Sequence, residues 1–169
     1  MSSSMFAARR RRFTERMGRA VTILPSARVP VKSYDVEHEY HQDTDLFYLT
    51  GFEEPESAAV LAPGHPDHPF MLFVRPKEKG KEIWTGRRAG PEGAVVSHGA
   101  DAAFPIEELA SRLPALLENV PRLYYRVGVN REFDERVFAA LADLRSRVRK
   151  GVAAPSEIVD PSVILHEQR

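Results

Sequence analysis

The chain has 169 residues, 43% hydrophobic and 28% charged, which fits a single domain able to bury a core and excludes disordered and fibrous classes. Its 24 basic and 24 acidic residues cancel, arguing against a module held on nucleic-acid phosphates, and no apolar run approaches the roughly 18 residues of a membrane-spanning helix. It has no cysteine, so disulfide scaffolds, thiol nucleophiles and cysteine zinc sites are excluded, and a cytoplasmic address fits.

The first 30 residues carry Arg9, Arg10, Arg11, Arg12, Arg16, Arg19 and Arg28 against one acid, Glu15, and serines 2 to 4 precede them. Such a start is shared by mitochondrial presequences and by ordinary first helices. Phe6, Phe13 and Met17 fall on one helical face, so residues 6–18 read as a helix closed by Gly18, with the arginines in water on their long stems. Ala20–Leu24 is a short apolar run ended by Pro25 and reads as a buried strand. Residues 25–44 read as a polar surface loop.

Leu46–Phe52 is aromatic and predicts a strand. Ser57–Leu61 and Phe70–Val74 predict a hairpin, joined by the proline-rich turn Ala62–Pro69, which no helix could cross. Glu82–Thr85 is a further strand candidate. Residues 86–104 hold four glycines and one proline and read as a loop-rich connection. Pro105 opens a helix through Ile106, Leu109, Leu113, Leu116 and Leu117, which Pro114 should kink or end early. Leu123–Val127 predicts a strand. Glu132–Arg149 is the clearest helix, with Phe133, Val137, Phe138, Leu141, Leu144 and Val148 on the 3.6 period and Gly151 as its stop. Ala153-Ala154-Pro155 begins a linker, and Pro161–Arg169 begins another helix. A hairpin followed by further strands and helices implies an α/β class with one mixed sheet flanked by helices.

No complete catalytic constellation follows. Nucleotide-binding glycine motifs and the Gly-x-Ser-x-Gly elbow are missing. His38 and His41 are three apart, not at zincin spacing. His65 and His68 lie in the proline-rich turn and read as solvated. Asp35, Glu37, Glu39, Asp43 and Asp45 alternate in one loop and also read as solvated, since two-metal sites need carboxylates converging from several elements. The segment Glu82-Ile83-Trp84-Thr85-Gly86-Arg87-Arg88 stands out because it sets the only tryptophan beside two arginines, residue types enriched at binding hot spots. A buried strand tryptophan with surface arginines fits the same pattern. Arg75 reads as a surface residue.

Two blocks carry a family likeness. His41-Gln42-Asp43-Thr44-Asp45-Leu46-Phe47-Tyr48-Leu49-Thr50-Gly51-Phe52-Glu53-Glu54-Pro55-Glu56 resembles the signature of the N-terminal domain of aminopeptidase P, the Xaa-Pro aminopeptidase of the creatinase–prolidase group. Glu82–Arg88 is similar to a second block of those enzymes. The arginine-rich opening is similar to their first helix, and Ala154–Asp160 with His166-Glu167-x-Arg169 resembles the junction into their catalytic domain. Lys32-Ser33 matches only part of a family patch.

The resemblance implies a ribonuclease H-like mixed sheet. It assigns residues 1–154 to the N-terminal domain and 155–169 to a linker and the start of a catalytic domain that the chain lacks. No cofactor is then expected here, and two divalent metals, manganese by family habit, belong to that missing domain. The strand ends offer Pro25, Pro63, Arg75 and Gly86 rather than metal-binding acids, so a nuclease is not expected. Trp84 matches a tryptophan that packs on substrate, Arg149 an arginine that approaches an active site across a subunit boundary, and Arg87 with Arg88 would serve an interface. The implied partners are the chain's own C-terminal catalytic domain, further copies in a homo-oligomer (dimer or tetramer) and proline-containing peptides, without nucleic acid or membrane. The implied role is oligomerisation and control of substrate access. The rival reading is a stand-alone creatinase-like peptide- or histone-binding module without catalysis.

Overall fold

The computed structural model describes residues 3–30 and 39–169. Lys32, Ser33, Asp35, Glu37 and His38, on which the sequence placed readings, lie outside the described residues. In chain order the elements are α1 (Ser3–Met17), β1 (Ala20–Pro25), α2 (Thr44–Thr50), β2 (Ala58–Leu61), β3 (Phe70–Val74), α3 (Lys79–Thr85), α4 (Gly90–His98), β4 (Ala102–Pro105), α5 (Leu109–Leu117), β5 (Arg122–Tyr124), α6 (Arg131–Ser146), β6 (Glu157–Val159) and α7 (Ser162–Gln168). The strands form one mixed sheet in the order β4-β3-β2-β1-β5-β6. The β1–β2 and β2–β3 pairs are antiparallel, whereas β3–β4, β1–β5 and β5–β6 are parallel.

The central strand β1 is buried on both faces. Ile23 and Val21 point into one layer and Ala20 and Leu24 into the other, as the two-residue period demands. On one side Phe13, Met17, Leu46, Leu49 and Leu165 bring α1, α2 and α7 onto the sheet. On the other, Leu109, Leu113, Leu117, Val137 and Leu144 seat α5 and α6. Side chains of this size contribute about 1.5–3 kcal/mol each on full burial, which is why the domain holds a core without disulfides. The mixed sheet flanked by helices is the architecture that the element pattern and the resemblance both predict.

Several local expectations change. Leu46–Phe52 is helical instead of extended: α2 starts at the Asp43 cap, whose Oδ1 accepts from Asp45 N and Leu46 N at 3.0 Å each, and ends at Gly51 with φ 67°. Glu82–Thr85 is likewise helical, within α3. The glycine-bearing stretch 86–104 holds α4 and β4, with Gly90 and Gly99 at positive φ bounding the helix. Pro105 ends β4 and leads through a turn of 3-10 helix, Ile106–Glu108, into α5. Pro114 is tolerated within α5, which runs on to Leu117; the carbonyl it leaves unpaired belongs to Ala110, an exposed residue. Strand β5 stops at Tyr124, and α6 ends at Ser146 before a 3-10 turn, Val148–Lys150, closed by Gly151. Within residues 155–169, β6 extends the sheet beside β5 and α7 packs against α1.

The arginine run is not wholly solvated. Arg10 shares the buried face of α1 with Phe6, Phe13 and Met17. It donates to Leu49 O at 2.9 Å, and its guanidinium lies 4.0 Å from the Phe70 ring centroid. Burial lowers its pKa, partly offset by Asp101.

Candidate functional site

The chain between β3 and β4 projects a short arm. Its helix, α3, forms for local reasons. Lys81 pairs with Glu78 at 2.9 Å, Thr85 Oγ1 donates to Lys81 O, and Gly86 N donates to Glu82 O. Gly86 ends it at φ 81° and ψ 173°, a conformation open only to glycine. None of the α3 residues is buried. Ile83 is 80% exposed and Trp84 88% exposed. Trp84 is therefore neither in a strand nor in the core, and the reading of a buried tryptophan is overturned.

The arginines divide. Arg87 is exposed on the arm, whereas Arg88 is only 9% exposed. Arg88 Nη1 donates to Pro76 O at 3.1 Å and its Nη2 to Thr85 Oγ1 at 3.3 Å. Arg75, expected at the surface, is buried beneath the arm. It donates to Glu54 Oε2 at 3.3 Å, while Glu54 Oε1 accepts from Ala89 N at 2.7 Å. Glu54 thus ties the α2–β2 loop to both ends of the arm, a long-range link with no sequence signal beyond the motif itself. Arg149 is exposed in the 3-10 turn after α6. Because α6 packs on the opposite face of the sheet from α4, the structure groups Trp84, Arg87 and Arg88 but does not group Arg149 with them.

A second polar centre surrounds Asp45, which is 4% exposed and not in a solvated loop. Arg126 Nη2 donates to its Oδ2 at 2.6 Å, and Arg169 donates to its Oδ1. Arg126 Nε also reaches Asp160 at 3.3 Å. Burial works against the Asp160 charge, but hydrogen bonds from Ser162 and the Arg126 guanidinium outweigh it and hold its carboxyl below the usual range. The Arg169 guanidinium lies 5.3 Å from the Tyr48 ring centroid, and Tyr48 Oη donates to Gln168 O at 3.1 Å. This cluster fastens the C-terminal helix to α2 and β5; it carries no free carboxylate.

The metal question has the same answer throughout the described residues. His65 and His68 stack at 5.4 Å, and His65 Nδ1 accepts from the backbone N–H groups of Asp67 and His68. Both oxygens of Asp45 are taken by arginines, and no three His, Asp or Glu side chains converge among the described residues. The described residues do not fit a pair of divalent metals.

The described residues thus form a six-stranded mixed α/β domain that carries an exposed aromatic arm between β3 and β4. The chain belongs to the family described as aminopeptidase P, N-terminal domain, whose pattern matches residues 6–124. Xaa-Pro aminopeptidase of Escherichia coli K12 is 34% identical over 172 residues, covering 100% of this chain and 39% of that protein. Human Xaa-Pro aminopeptidase 3 is 37% identical over 97 residues, 55% of this chain and 19% of that one. Among solved structures, Pseudomonas aeruginosa aminopeptidase PepP superposes with a TM-score of 0.93 at 40% identity, covering all of this chain and 38% of that one. A variant of Escherichia coli aminopeptidase P in complex with substrate superposes at 0.91 and 33% identity, covering 100% and 39%. The chain thus spans about two fifths of the length of the Escherichia coli and Pseudomonas aeruginosa relatives, and its match covers about a fifth of the human one.

Proposed function

We infer that the chain works as the non-catalytic N-terminal domain of a Xaa-Pro aminopeptidase, a metallopeptidase that releases the residue preceding proline. Its tasks are subunit assembly and restriction of access to a catalytic domain lying C-terminal to it. The observation that carries this reading is the exposure of Trp84 on a helix that buries nothing. A large apolar ring held in water gains by covering a ligand, and a flat indole suits the proline ring, which offers contact area but no N–H donor.

The remaining roles follow the same reading. Arg149 supplies a planar guanidinium able to bind a peptide carboxylate in a neighbouring subunit of a dimer or tetramer. Arg87 reaches outward for an interface, with Arg88 behind it. Two divalent ions, manganese by preference, belong to the catalytic domain, where they supply Lewis-acid activation of water. The compartment is the cytoplasm.

The test joins this domain to its catalytic partner in the whole protein. Trp84→Ala is expected to raise KM for a Xaa-Pro peptide about tenfold, in the range of a hot-spot truncation. An unchanged KM would remove Trp84 from the site.

A further inference from the structure

Hydrophobic packing does not hold the arm where it stands, because α3 has no buried residue. Its neck is held by polar contacts instead: Glu54 fixes the two ends at Arg75 and Ala89, and the Arg88 guanidinium bridges from the neck to the end of α3. Arg88 reaches the carbonyl of Pro76 at the start of the arm and the hydroxyl of Thr85 next to Trp84, and its backbone N–H donates to Glu82 Oε1 at 2.9 Å. The reversal at Gly86 makes that fold-back possible. Just beyond, Ala89 is anchored on Glu54. Arg88 Nε is buried and finds no acceptor among the described residues. A charged group has been taken out of water at a cost, and its return is confined to contacts across the neck.

We propose that Arg88 is a positioning residue, a staple whose two-pronged grip on Pro76 and Thr85 aims Trp84 at the proline-bearing peptide. The proposal rests on reading Trp84 as the substrate contact. A lysine cannot replace the staple, because one ammonium on a flexible stem does not present two donors in a fixed fork.

Trp84 is the only tryptophan, so its fluorescence anisotropy decay reads the arm directly. In Arg88→Gln and Arg88→Lys the nanosecond segmental component is expected to rise about twofold, since loop motion falls in that time range. Thr85→Val, at an exposed site that leaves the core untouched, is expected to give a smaller rise and covers the case in which an Arg88 variant fails to fold. In the whole enzyme, Arg88→Gln is expected to raise KM about fivefold with kcat nearly unchanged, and to add little to Trp84→Ala in the double variant, as coupled residues do. An unaltered decay in Arg88→Gln and Thr85→Val, or full restoration by lysine, overturns the proposal while leaving the Trp84 reading intact. A loosened arm in an enzyme indifferent to Trp84→Ala overturns the Trp84 reading, and the positioning role with it.

Discussion

Gly51 and Phe6 meet so closely that no side chain fits between them: a Cβ on Gly51 would stand 2.5 Å from the Phe6 ring. Gly51 also has φ 67° as the left-handed cap of α2. The pair seals the junction of α1 and α2, where Phe6 also meets Phe47 edge-on at 6.0 Å. Gly51→Ala combines backbone strain with overpacking and is expected to cost about 2–4 kcal/mol. Urea denaturation checks it: the midpoint should fall with the slope unchanged.

Asp45 neutralises Arg126 and Arg169 together. Asp45→Asn leaves Arg126 with Asp160 alone and Arg169 without its carboxylate. Their side chains stay 35% and 32% exposed, so water offsets part of the loss, and about 2 kcal/mol is expected instead of the 3–5 of a fully buried break. Hydrogen exchange should rise sharply in α7 and little in α6.

The depressed pKa of Asp160 gives stability a sign with pH. The unfolded carboxyl binds its proton more readily, so the contribution is complete above the ordinary carboxylate pKa of about 4 and is lost as pH falls through the lower folded value. Asp160→Asn should flatten the acid limb of a stability–pH curve measured by urea titration between pH 2 and 5, values taken as roughly bracketing that window.

Tyr125 has the opposite profile. Its hydroxyl donates to Asp134 Oδ1 at 2.6 Å; burial, then the hydrogen bond and charge of Asp134, raise its pKa above the ordinary value. Its contribution is present below the unfolded pKa of about 10 and fades as pH rises through the higher folded value. Tyr125→Phe should cost about 1–2 kcal/mol at neutral pH and blunt the loss of stability in alkali.

The chain by itself should not hydrolyse a Xaa-Pro peptide, even with excess manganese. Product release followed by chromatography, at a sensitivity set by an intact relative, tests this. Measurable turnover by the pure domain would contradict the assignment of catalysis to another domain.

The elements that were legible had their cause in the local pattern. Apolar runs ended by prolines mark β1, β2 and β3, and the 3.6 period from Phe133 to Leu144 marks α6. Helix α2 escaped because Phe47 and Tyr48 favour strands, whereas the deciding signals were the Asp43 cap and Gly51. Helix α4 was hidden by the glycines that cap it, and β4 offers only Ala102, Ala103 and Phe104 as apolar content. At the site, Trp84 was legible as unusual and its exposure was not, since nothing local separates a buried strand tryptophan from one on an arm. The burial of Arg75 depends on Glu54, 21 residues away, and that of Asp45 on Arg126 and Arg169, far along the chain. Arg10 could have been found, since it lies one turn from both Phe6 and Phe13.

The pairing of Ala20 with Arg122 sets an order of events during synthesis. One side of β1 is covered by β2 soon after it is made, but the other waits for β5, about a hundred residues later, or roughly 5–20 s at ribosomal rates. Throughout that interval β1, a strand buried on both faces in the finished sheet, is an open edge, the state in which chains pair with the wrong neighbour. Shortened forms ending before residue 122 should therefore aggregate instead of folding partway, and the nascent protein has its greatest need of chaperones just before Tyr124 emerges.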